Sequence, residues 1–169
     1  CGIGSSELAN AGVRILVDAA TLTVVGITEV ISKLPVVFRS MAIAKKLLQS
    51  LKPDLLILID FPDFNLRLAA VAKKLGIRVL YYISPQIWAW RPGRVKKIGR
   101  LVDHMAVILP FEADFYAAHN IPVTFVGHPL LDDQSHSTDK GGLTHSAENN
   151  TIGLLPGSRE VEIRRLLPV

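Results

Sequence analysis

The chain has a single cysteine, Cys1, in 169 residues. One thiol excludes an internal disulfide framework and fits a reducing compartment. Long hydrophobic runs are also missing. The most apolar stretches, 55–59, 77–83 and 105–109, fall far short of the roughly 20 residues that a spanning helix needs. The positive mean hydropathy of +0.33 therefore reflects core-forming segments, not a membrane span. The five histidines show no metal-ligand spacing. No Ser–His–Asp arrangement and no complete Gly-x-Gly-x-x-Gly occurs, and no leader pattern opens the chain. The first residue is Cys1 and not Met, which implies a fragment or a processed product, a lipidated N-terminal cysteine being one such product.

Nearly half of the residues are hydrophobic, enough for the core of one ordinary domain. The formal net charge of +4 favours anionic partners. At this level phosphorylated small molecules, anionic lipid and nucleic acid all remain open, although nucleic acid would bring more positive charge and a recognisable motif. Five segments read as strands: 54–60, 77–84, 104–109, 123–126 and 151–155. Most are continuous apolar runs, the pattern of strands covered on both faces. Helical patterns at 64–75, 94–101 and 111–119 alternate with them. The alternation predicts an α/β fold, a Rossmann-like parallel sheet flanked by helices.

The opening "CGIGSSELANAG" reads as a strand end, a glycine turn and a short helix, without the first strand and loop of a doubly wound sheet. Residues 132–150 are rich in Ser, Asp, Gly and His and read as a flexible linker. Residues 151–169 read as the strand, turn and helix start of a second α/β domain. The expected organisation is thus 1–131, a linker at 132–150, and 151–169.

In open α/β sheets, ligands bind outside the carboxyl ends of the strands. Asp60 ends the strand at 54–60, so its carboxylate is expected at a cleft edge, partly desolvated and able to act as a general base. Pro62 biases Phe61 away from helix, and Asp63 or Asn65 is expected to cap the helix that follows. The next strand delivers Ser84 and Gln86 to the same edge. Trp88 and Trp90 follow, then Arg91, Arg94, Lys96, Lys97 and Arg100. That stretch reads either as a solvated basic helix or as an anion- or membrane-binding patch.

Helical spacing marks Ile27, Val30, Ile31 and Leu34, and, after Pro35, Val37, Met41, Ala44, Leu48 and Leu51. The second set reads as a core-packing helix. In the first, Val24, Val25, Ile27, Val30, Ile31, Leu34, Val36 and Phe38, with Val37 beside them, exceed what one face can hide. Such a patch marks an interface, and the nearby positive charge would suit an anionic bilayer. In "LLPGSRE" the N–H groups of Gly157, Ser158 and Arg159 would face an anion at a helix start, with the Arg159 guanidinium as a phosphate fork.

The blocks "VVGITEVI", "IDFPDFN", "YYISPQIWAWRPGRVKKIGR", "LPFE", "FVGHPL" and "LLPGSRxxEI" follow one another along nearly the whole chain. In this order they resemble the lipid-A-disaccharide synthases, inverting glycosyltransferases of lipid A assembly. "IDFPDFN" followed by "SPQIWAWRPGR" carries most of the specificity. The resemblance implies the N-terminal half of a two-domain GT-B fold, truncated at both ends. It implies UDP-2,3-diacylglucosamine as donor and 2,3-diacylglucosamine 1-phosphate as acceptor. It further implies no metal or other cofactor, no nucleic acid, and a cytoplasmic enzyme peripheral on the inner membrane; a homodimer is left open. Asp60 matches the family's essential aspartate, the candidate base, and Arg159 the arginine expected near the donor phosphates. The family's opening Gly-Glu-x-Ser-Gly-Asp loop is absent, and so is most of the nucleotide domain, so this polypeptide is expected to be inactive alone. The rival readings are a MurG-like transferase or UDP-sugar epimerase, both expected to lack the two specific blocks, and a non-catalytic lipid-binding half-domain.

Overall fold

The computed structural model describes residues 1–18, 27–90, 92–136 and 163–164. Cys1–Asp133 forms one compact unit and Gln134–Val169 a second; in the second, Ile163 and Arg164 are helical and exposed.

The first unit opens with β1 (Gly2–Gly4), α1 (Ser6–Asn10) and β2 (Ile15–Asp18). Strands β1 and β2 pair in parallel as a two-stranded sheet. The second of these strands is not anticipated from the sequence, because four residues carry too little pattern. Then come α2 (Ile27–Leu51), β3 (Leu55–Ile59), α3 (Pro62–Lys74), β4 (Arg78–Tyr82) and α4 (Ile87–Trp90). A 3₁₀ turn at Pro92–Arg94 leads into α5 (Val95–Leu101), β5 (His104–Val107), α6 (Pro110–Ala117), β6 (Val123–Phe125) and α7 (Pro129–His136). The last helix occupies the start of the stretch read as a linker.

Strands β3, β4, β5 and β6 form a four-stranded sheet in that order, every pair parallel. The expected Rossmann-like α/β arrangement is therefore present. All three steps run the same way across the sheet. Right-handed crossovers then put α3, α5 and α6 on one face. That face is the core: Leu58, Val79, Tyr81, Met105 and Val107 pack with Phe64, Leu68, Ala69, Ile98 and Tyr116. Gly76, at φ +72°, turns the chain from α3 into β4, a conformation that glycine takes without steric cost.

Three expectations need correction. The strand at 54–60 is not covered on both faces: Leu55, Ile57 and Ile59 are about half exposed, at 46, 54 and 47 %, because the one-way winding supplies helices to the other face only. The two helices expected around Pro35 are a single helix, with the proline inside it. An interior proline removes one backbone hydrogen bond. The second half is anchored by Met41, Ala44 and Leu48 in the core, which holds the helix past that lost bond. Leu51, expected in the core, is exposed.

Candidate functional site

The carboxyl ends of β3 and β4 build one polar edge. Ile59 opposite Tyr82 is the last ladder pair, and the Asp60 N–H extends the ladder by donating to the Tyr82 carbonyl at 3.0 Å. The chain then leaves regular geometry. Asp60 has φ 47° and Phe61 has φ 44°, ψ 63°, two successive non-glycine residues in the left-handed region. Phe61 does avoid right-handed helix before Pro62, but through the left-handed basin and not the extended one.

This turn is held from two sides. The Asn65 Nδ2 donates to the Ile59 carbonyl at 3.0 Å and to the Asp60 carbonyl at 2.6 Å. The Tyr81 hydroxyl donates to the same Asp60 carbonyl at 2.7 Å. Left-handed geometry costs about 1–2 kcal/mol per residue, and each intramolecular hydrogen bond returns about 1 kcal/mol. The three side-chain bonds are thus of the size needed to keep the turn in this shape. Burial first, and then the nearby Asp60 charge, push the Tyr81 hydroxyl well above the usual phenol range, so it remains a proton donor.

The expected cap at the start of α3 does not form. Pro62 takes the first helical position, and Phe61 at the N-cap gives no side-chain bond. Asp63 and Asn65 therefore lie inside the helix. Asp63 is largely exposed and pairs with Arg94 at 3.1 Å, tying α3 to the basic segment. Asn65 is buried, and its amide serves backbone carbonyls. Ser84 is also buried; its Oγ donates to the Pro85 carbonyl at 3.0 Å and is hydrogen-bonded to the Tyr116 hydroxyl at 2.7 Å. Burial pushes Tyr116 up to about 12 despite the Ser84 bond, with the Glu112 charge adding to the effect. Gln86 is exposed.

Asp60 is exposed, so the expectation of a partly desolvated carboxylate is not met. The turn ends a strand that lacks cover on one face, and water reaches it. Among the described residues no hydrogen bond or ion pair engages the carboxylate oxygens, which leaves them able to accept a proton from an incoming hydroxyl.

The buried Glu112 is a site feature that sequence reading missed. Its Oε1 accepts from the Trp88 indole N–H at 3.2 Å and its Oε2 from the Leu109 N–H at 3.2 Å. Trp88 packs edge-on against Phe111 at 4.9 Å, so this carboxylate pins the "PQIWAW" segment beside α6. Tyr81 was missed as well. An inward tyrosine in an apolar run needs an acceptor for its hydroxyl, and that was the available signal.

Other expected residues are less defined. Gly157, Ser158, Arg159, Val24 and Val25 lie outside the described residues. Ile27, Val30, Ile31, Leu34 and Val36 fall within α2. Val37 is half-buried against the core, and Phe38 is 60 % exposed. No described helix is long and apolar enough to cross a membrane. Among the described residues no cluster of His, Cys, Asp and Glu could hold a metal ion. An open hollow of about 490 Å³ lies at the opposite, amino end of the strands, between Lys52, Asp54, Gly76 and Arg78. It is remote from the edge where this fold class places ligands.

The chain resembles curated proteins throughout its length. It is 54 % identical to a protein named lipid-A-disaccharide synthase from Trichlorobacter lovleyi, with 99 % of this chain and 45 % of that protein aligned. Proteins of the same name from Geobacter metallireducens and Syntrophus aciditrophicus are 52 % and 55 % identical, with the same shares covered. The chain thus spans about half the length of these relatives. The sequence profile described as lipid-A-disaccharide synthetase matches residues 1–169, and the chain belongs to that family.

Proposed function

We propose that this chain is the acceptor-side half of a lipid-A-disaccharide synthase, a glycosyltransferase of lipid A biosynthesis. The reaction is hexosyl transfer from UDP-2,3-diacylglucosamine to 2,3-diacylglucosamine 1-phosphate. Asp60 takes the proton from the acceptor 6-hydroxyl as that oxygen attacks the anomeric carbon. The bond from the anomeric carbon to UDP breaks on the opposite face. Inversion gives a β-1,6-linked disaccharide 1-phosphate, and UDP leaves. Gly157, Ser158 and Arg159 serve as the recognition residues for the donor phosphates, where a cation stabilises the departing charge.

One observation carries this reading: Asp60 stands at the carboxyl edge of a parallel sheet with a carboxylate that no described residue engages, in a chain of this family. The test uses the chain extended to the length of its relatives. Asp60→Asn preserves shape and removes the base, so kcat should fall by about 10³-fold or more, with an unchanged unfolding midpoint. Near-normal turnover in that variant would reject the assignment.

Membrane association is a second part of the proposal. It is favoured by Phe38, exposed on α2 near Arg39, Lys45 and Lys46. Asp substituted at Phe38 should reduce co-sedimentation with anionic phospholipid vesicles; equal sedimentation of both proteins would remove α2 from the contact. The enzyme would then work at the cytoplasmic face of the inner membrane.

A further inference from the structure

We propose that Tyr81 is a positioning residue for Asp60, fixing the direction in which the carboxylate is presented. The inference rests on the reading of Asp60 as the base.

The geometry is specific. A carbonyl oxygen accepts along two lone pairs. For Asp60 one is taken by Tyr81 at 2.7 Å and the other by Asn65 at 2.6 Å. Swinging this peptide plane would break both bonds together. Its amide is fixed as well, on the Tyr82 carbonyl at 3.0 Å. With both neighbouring peptide planes held, φ stays at 47° and the Cα–Cβ bond has one direction. The side chain is then free only about its own torsions.

The two clamps differ in kind. Asn65 lies on the helix that follows the turn, five residues away, and is local. Tyr81 lies in the neighbouring strand, 21 residues away, with its ring fully enclosed in the core. It therefore references Asp60 to the sheet itself, and to the Ile83 turn at the end of the same strand, where φ is again positive at 63°. An acceptor that touches both strand ends would meet two groups set in one frame. Burial keeps the phenol protonated, so the clamp does not release over the working pH range.

Tyr81→Phe deletes the donor and leaves the ring in place. In the extended protein, kcat should fall about 10–100-fold, as misplacement of a reacting group by about 1 Å does, with KM changed less than twofold. Amide hydrogen exchange at Asp60 should become at least about tenfold faster as the turn loosens. Asp103→Asn, at the opposite end of β4, sets the baseline for a protein that has only lost some stability; it should leave kcat and Asp60 exchange unchanged. Unaltered Asp60 exchange in Tyr81→Phe would overturn the inference, as would a kcat loss matched by Asp103→Asn. If the parent protein shows no transferase activity, the functional reading fails on its own, and the exchange measurement still decides whether the clamp exists.

Discussion

The two ends of β4 are both tied by side-chain hydrogen bonds, in opposite ways. At the carboxyl end, Tyr81 and Asn65, both buried, hold neutral contacts to a backbone in left-handed geometry. At the amino end, Asp103 accepts from the Val79 N–H at 2.8 Å and from Lys73 at 2.5 Å, both charged groups being more than a third exposed. The first arrangement restrains an unfavourable backbone. The second fastens a favourable one that water can reach. Strain held by a buried network is the mark of a place where direction matters. An exposed ion pair on regular backbone marks a place where only attachment matters.

The sharpest way to break this comparison is to remove the local clamp. Asn65→Leu fits the helix but leaves the Ile59 carbonyl without its side-chain donor and the Asp60 carbonyl with one. Buried groups that lose a partner cost about 1–3 kcal/mol, and a loss near 2 kcal/mol is expected in chemical denaturation. A loss below about 0.5 kcal/mol would mean that the turn is relaxed and the comparison is empty.

A smaller effect is expected at Phe61. Glycine there recovers about 1 kcal/mol of left-handed cost and gives back about half of that in chain entropy. Phe61 stacks on Phe64 at 5.7 Å and is 43 % exposed, so more than half of its surface is covered, and losing that burial costs about 1–2 kcal/mol. Phe61→Gly should therefore be less stable by about 1 kcal/mol and, with a looser turn, slower in turnover. An unchanged or raised midpoint would show that the strain outweighs the stacking.

These contrasts also mark what the sequence could disclose. Strands β3 to β6 are recognisable because each is a short apolar run between helical patterns, and their parallel order follows from the helices between them. Asp60 is placed at the edge by the same logic. The left-handed turn is not legible, because it depends on Tyr81, which is remote in sequence, and on an asparagine whose neighbours advertise a cap. Pro62 supplies the helix start without any side-chain cap, which is why Asp63 and Asn65 fall two and four positions past the N-cap instead of on it. The uncovered face of β3 escaped for a different reason. Leu55, Ile57 and Ile59 look no different from the inward Leu56 and Leu58, and only the direction of winding separates them.

The smallest effect belongs to the amino end. Burial opposes the charge on Asp103, but the hydrogen bonds from Lys73 and the Val79 N–H outweigh it and hold its pKa below the usual carboxylate value. A carboxyl lowered in the folded state stabilises above its unfolded pKa, near 4, and that contribution fades as pH falls through the folded value. With both partners screened by water, the expected size is about 0.5 kcal/mol. Thermal midpoints of the parent and Asp103→Asn should therefore differ slightly at pH 7 and converge below about pH 4. Added salt should narrow the gap at pH 7 as well, since the pair is exposed. A difference that persists undiminished in acid would assign the role of Asp103 to a neutral hydrogen bond on β4. The two ends of the strand would then differ in backbone strain alone, with charge playing no part.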